Sequence, residues 1–264
     1  MDYIALTNLD KNLVTNKYIY DGNNFNSDSF SFVVNANENI SIIFLNINKD
    51  FKLEFDIKEN ANVKLSFLQI APINAKFRGN VAKNSNLVCY YADFVDGNIS
   101  LDSRIDLDGE DSSCLWNLAS LAKNEEKKDF YVSVYHNSKK TKCHINNYGV
   151  TRDKSHLLFS GICKIENGSH ESSAHQNSKI MVFDEESDAI AKPILKIDDN
   201  DIEASHAAVV GKISDEHMFY LTSRGLSEVE ARELITYGYL KPILNGFDDE
   251  ELSRQINSLI EGSL

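Results

Sequence analysis

The chain has 264 residues, with 27 basic against 40 acidic side chains and a net charge of −13. That balance excludes the basic footprint that nucleic acid or an anionic membrane surface requires. At 42% hydrophobic, the chain can bury a sizeable core, so disorder throughout is excluded. No apolar run approaches the ~18 residues of a membrane span. The opening stretch MDYIALTNLDKNL has no basic region followed by an apolar one, so the expectation is a cytoplasmic protein without a secretory leader. The four cysteines, Cys89, Cys114, Cys143 and Cys163, form no CxxC pair and read as reduced thiols.

From residue 30 to about 212 the chain alternates apolar and polar residues in short runs, such as Phe51 to Ile57, Val63 to Phe67 and Phe130 to Tyr135. This pattern predicts half-buried strands. The turns recur: polar blocks beginning at 35, 58, 82 and 108 follow Val34, Ile57, Val81 and Leu107, in steps of 23, 24 and 26. Asn37, Asn60 and Asn84 coincide in that frame, and Phe44-Leu45 falls on Phe67-Leu68. Asparagine tolerates left-handed backbone angles, which suits tight corners. A fixed period in the twenties predicts a β-solenoid with Phe44 and Phe67 stacked inside. The competing reading is a β-sandwich with Greek-key crossings.

At Ser214 the pattern turns helical. A first helix runs to Arg224 and stops at Gly225, a left-handed C-cap. Ser227 to Glu230 is a capping box for a second helix with Ala231, Leu234 and Ile235 on one face and Gly238 near its end. Asp248 opens a third helix, whose Leu252, Ile256, Leu259 and Ile260 form an apolar stripe. The stripe suits packing on its own domain or, less simply, binding a partner. The division is therefore a β-domain over 1–213 and a helical appendage over 214–264, set at the end of the β-domain.

Five of the seven histidines lie between His136 and His175, near Cys143 and Cys163. Coils can stack such residues into a soft metal site; the plainer reading is surface decoration plus satisfied core histidines. No nucleotide-binding or nucleophile-elbow motif is present. Carboxylate runs at Asp184 to Glu186 and Asp198 to Asp201 could serve a glycosidase, yet they fall where solvated corners are expected.

The stretches Phe159 to Ile165, Ala174 to Ser178, Pro193 to Ile197, Asp201 to Gly211 and Met218 to Gly225 resemble the SufB/SufD family of iron–sulfur cluster assembly proteins. The specific signal is the SHAxxxG and FYLxSRG pair. The resemblance implies a right-handed parallel β-helix with a small C-terminal helical domain, acting as a scaffold and not as an enzyme. It implies pairing through the β-helix with a SufB-type chain or a second copy, and docking of the SufC ATPase on the helical region. It also implies a transient iron or iron–sulfur cluster at the subunit interface. By its place before FYLxSRG, His206 matches the histidine of SufD-type chains that lies near the nascent cluster. Ala207 stands where the family usually has glycine. SufB-type chains carry an essential cysteine in the stretch that here reads His175 to Ser178, where Gln176 or a neighbour takes its place. They also flank the histidine with glutamates, where this chain has Ser205 and Ala207. Both departures point to a SufD-like chain, in a short form without the N-terminal helical region of longer members.

His206 is thus the candidate iron or cluster ligand, set against a purely structural role, with Cys163 a secondary metal candidate. Phe219, Tyr220, Arg224 and Gly225 are the candidate SufC-docking residues. The uncharged strand Ala204 to Gly211 suits a pairing strand, which would place His206 at a two-fold or pseudo-two-fold interface. Two alternatives remain: a divergent paralogue forming a homodimer with SufC without building clusters, and a β-helix carbohydrate-active enzyme.

Overall fold

A computed structural model describes residues 10–12, 16–24, 27–69, 71–247 and 250–262. The chain alternates between two sheets. The first contains β1 (Asp10–Asn12), β2 (Lys17–Asp21), β4 (Asn39–Leu45), β6 (Asn62–Gln69) and β8 (Asn86–Asp93). It continues through β10 (Ser113–Ala122), β12 (Lys142–Thr151), β14 (Ser172–Val182) and β16 (Ile202–Lys212). The second contains β3 (Ser29–Val34), β5 (Phe51–Ile57), β7 (Asn74–Val81) and β9 (Ile99–Leu107). Its last strands are β11 (Lys127–His136), β13 (His156–Ile165) and β15 (Asp188–Ile197).

From β2 onward every strand pairs in parallel with the strand two places along, while β1 and β2 are antiparallel. This is a two-sheet β-helix, and the parallel ladders overturn the Greek-key alternative. Alternate side chains point inward. In the early coils the core is aromatic, and Phe44 stacks on Phe67 with centroids 4.5 Å apart and planes 9° apart. Burying each such ring contributes about 1.5–3 kcal/mol.

The corners follow one rule. Asn37, Asn60, Asn84, Asp111, Lys140 and Glu171 all have φ between 56° and 65°. Each N–H donates to a carbonyl of the next corner, from Asn37 to Glu59 (3.0 Å) through to Glu171 to Asp201 (2.7 Å). The spacing between neighbouring coils grows from 23 residues at Asn39 and Asn62 to 31 at Asn147 and Ser178. The fourth corner departs from the repeat read in the sequence, because its left-handed residue is Asp111, one place later in the block than Asn84. The extra residue is accommodated at Gly109, where a Cβ would lie 1.9 Å from the Lys83 backbone nitrogen. Later corners place Lys140 and Glu171 in a conformation that asparagine adopts more easily.

The helical segment comprises α1 (Asp215–Ser223), α2 (Glu228–Leu240), a 3-10 turn (Lys241–Gly246) and α3 (Glu250–Gly262). Ser214 accepts a hydrogen bond from the His217 N–H, and Ser227 with Glu230 completes the capping box. Gly238 lies near the end of α2, which continues to Leu240 and tightens into the turn containing Pro242. The predicted opening of α3 at Asp248 lies outside the described residues.

Leu240, Ile243, Phe247, Ile256 and Ile260 form a second core with Leu68, Ala92, Ala119, Leu121 and Val150 of the first sheet. The segment therefore lies back along the outer flank of that sheet and is not only an appendage at its end. The stripe of α3 serves the chain's own packing. Among the described residues no helix is long and apolar enough to cross a membrane.

Candidate functional site at the open end of the coil

β16 is the last strand of the first sheet, and β15 the last of the second. An inward column runs from Trp116 through Ile145 and Gln176 to His206, by direct register. Trp116, Ile145 and Gln176 are buried, but His206 is exposed because no further coil covers it among the described residues. Its imidazole has no hydrogen-bond partner among them. Residues 205–210 share this exposure, with Val209 at 51% and Val210 at 45%. An uncharged, open strand edge of this kind is a template for pairing with another chain.

Beneath His206 the interior changes character. Gln176 is 4% exposed and donates from Nε2 to the Ile194 carbonyl at 2.9 Å. Its Oε1 lies 2.3 Å from where a Cβ on Gly161 would stand, so glycine makes the space for the amide. Asn147 and Ser178 are also buried and are joined by a 3.1 Å hydrogen bond.

Cys163 lies inside the coil with its sulfur 3.1 Å from that of Cys143, and both are fully buried. The contact with Cys163, together with burial, pushes the Cys143 thiol up; burial does the same to Cys114. Cys89 and Cys114 are buried too. Such thiols behave as small hydrophobes.

The histidine cluster of the sequence disperses in space. His136 is buried against Thr141 at 2.7 Å, and burial lowers it to about 4. His156 lies between Asp188 (2.7 Å) and Asp129 (3.2 Å), and His170 meets Asp199 at 3.0 Å. His144 and His175 adjoin on the outer face of the first sheet. Among the described residues no three histidine, cysteine or carboxylate groups converge as a metal site.

The acidic runs hold corners. Asp199 accepts from the Gly168 and Asp201 N–H groups, and Asp184 accepts from the Asp153 N–H. A shallow groove of ≈ 490 Å³ over the outer first sheet is lined by Asn39, Asn62, Asn86, Lys64 and Tyr90, with no carboxylate. In a second groove Glu54 and Asp56 lie beside Arg78, and its aromatics Phe32 and Phe55 are core residues. The first groove has no carboxylate and the second no exposed aromatic wall, so neither combines the two as a carbohydrate site does.

On α1 no residue is buried; Phe219 is 73% and Tyr220 53% exposed. The Arg224 guanidinium covers the Tyr220 ring at 4.8 Å. Gly225, with φ of 98°, closes the helix. Val229 and Leu234 of α2 are exposed as well.

The family model described as SUF system FeS cluster assembly, SufBD core domain, matches residues 23–239. The chain belongs to the SufB/SufD family. It is 36% identical over 141 residues to the iron–sulfur cluster assembly protein SufD of Bacillus subtilis, covering 53% of this chain and 32% of the relative. To SufD of Escherichia coli it is 24% identical over 208 residues, 76% of this chain and 49% of the relative. A SufBD family protein of Mycobacterium tuberculosis is 28% identical over 148 residues, 55% of this chain and 18% of the relative. The matched stretches thus span less than half the length of each of these relatives. Within the family the likeness is SufD-like.

The sequence reading did not find Lys128, which is fully buried with Asp93. A lysine in an alternating strand carries no local mark of its side chain's destination.

Proposed function

We propose that this chain is a SufD-like scaffold subunit of iron–sulfur cluster assembly. It pairs through β16 with a SufB-type chain or a second copy, and the exposed α1–α2 surface around Phe219, Tyr220 and Arg224 docks the SufC ATPase. The observation that carries the reading is the uncovered edge of β16 with His206 standing on it. A neutral imidazole binds ferrous iron, so His206 is suited to touch iron or a nascent cluster as cargo. The chain supplies a surface and a ligand, and ATP hydrolysis belongs to the partner.

The test is anaerobic co-purification with SufC-like and SufB-like chains, followed by iron and sulfide analysis. Val209→Lys should break β16 pairing and leave SufC retention intact, while removal of 214–264 should release SufC. Retention of both partners by both variants would overturn the reading.

One observation favours a second reading, the homodimer that binds SufC without building clusters. All four cysteines are buried, and Gln176 stands in the stretch where SufB-type chains carry their cysteine. Complexes with SufC but without SufB-type chain, iron or sulfide would support it.

A further inference from the structure

His144 on β12 and His175 on β14 are register partners on the outward face of the first sheet. Their ring centroids lie 4.8 Å apart with planes 40° apart, the only adjoining pair of imidazoles among the described residues. His144 is exposed and His175 half-buried, so both rings are open to solvent. They point away from the inward column that ends at His206, onto the opposite face of the sheet.

We propose that His144 and His175 together bind a divalent first-row transition ion. Metal–imidazole bonds of about 2.0–2.1 Å need two nitrogens no more than roughly 4 Å apart. Neighbouring rings on parallel strands meet that need by rotation about their terminal torsions. The sheet sets the separation, so little ordering is required on binding. His175 is also braced: its Nδ1 is 2.7 Å from the Ser205 hydroxyl on β16. With Ser205 accepting from Nδ1–H, Nε2 carries the lone pair that a metal takes, the usual outer-shell arrangement of a ligating histidine.

The other histidines lack this combination. His136 is buried, His156 and His170 face carboxylates, His217 is engaged by Ser214, and His206 stands singly. Two nitrogen ligands select Zn²⁺, Ni²⁺ or Cu²⁺ over Mg²⁺ or Ca²⁺, with water completing the shell.

The experiment uses the untagged full chain, titrated with Zn²⁺ by calorimetry and passed over a Ni²⁺-charged chelating resin, with Ca²⁺ as control. One equivalent of Zn²⁺ should bind, and His144→Gln or His175→Gln should each weaken binding at least tenfold and abolish retention. His170→Gln, on an exposed corner away from the pair, should leave both unchanged. Thermal melts of the variants should match the parent, since both side chains lie on the outer face. Failure of the parent to bind Zn²⁺, or equal binding by both pair variants, would overturn the proposal. Loss confined to His206→Gln would also overturn it, and would assign the ion to the β16 edge.

Discussion

Gln176 and His206 occupy the same inward column on adjacent strands, yet one is buried and the other open to solvent. Gln176 is held by the Ile194 carbonyl, and the space beside Gly161 receives its amide oxygen. His206 has no such shell. The coil's interior thus continues to its last strand and is left uncovered there.

Because His206 packs against so little, His206→Ala should change stability by no more than about 0.5 kcal/mol. The variant should still retain SufC, while iron and sulfide in the assembled complex fall. An unfolded variant would make the residue structural, and one with full cluster content would remove it from the mechanism.

The Lys128 ammonium lies 3.2 Å from Asp93, and neither side chain is exposed. It also donates to the Val95 and Leu121 carbonyls, while Ser120 donates to Asp93. Lys128→Met strands a buried carboxylate and should cost about 3–5 kcal/mol in urea unfolding. Adding Asp93→Asn should recover part of the loss; no recovery would mean that Lys128 acts through its packing and its carbonyl bonds.

His136 gives the chain an acid sensitivity of known sign. Burial lowers it from 6.5 to about 4 in the folded state. Between those values the unfolded chain binds a proton that the folded chain does not, so stability rises with pH across the window. Acidification from pH 6.5 to 4 should therefore remove on the order of 3 kcal/mol, with no further loss from this group below pH 4. His136→Leu should flatten that part of the profile relative to the parent; an unchanged slope would assign it to other groups. Asp199, held below its usual range chiefly by the Asp201 N–H, contributes stability that is lost at lower pH still.

Two glycines separate rigid from yielding neighbours. A Cβ at Gly109 meets the backbone of Lys83, whereas one at Gly161 meets the end of the Gln176 side chain. Gly109→Ala should cost about 1–3 kcal/mol, and Gly161→Ala less, because the amide can turn away. Thermal melts of the two variants decide it; equal losses would mean that the Gln176 amide cannot move.

What the sequence by itself determined was local. Strand alternation, the left-handed asparagines at 37, 60 and 84, and the caps at Ser214 and Ser227 depend on residues a few places apart. The SHAxxxG and FYLxSRG stretches identified the family for the same reason, being read along the chain. The repeat was legible only while each corner kept its asparagines. It faded once Lys140 and Glu171 took the same backbone conformation without the compositional mark. Tertiary structure alone decided which residues share a column, because the coil lengthens from 23 to 31 residues and each insertion shifts the alignment. Lys128 and Asp93 meet across 35 residues, Cys143 and Cys163 across 20. The exposure of His206 is of this second kind. An inward-facing residue is buried only if another coil stacks upon it, and position in the stack is a property of the fold, not of the neighbouring residues.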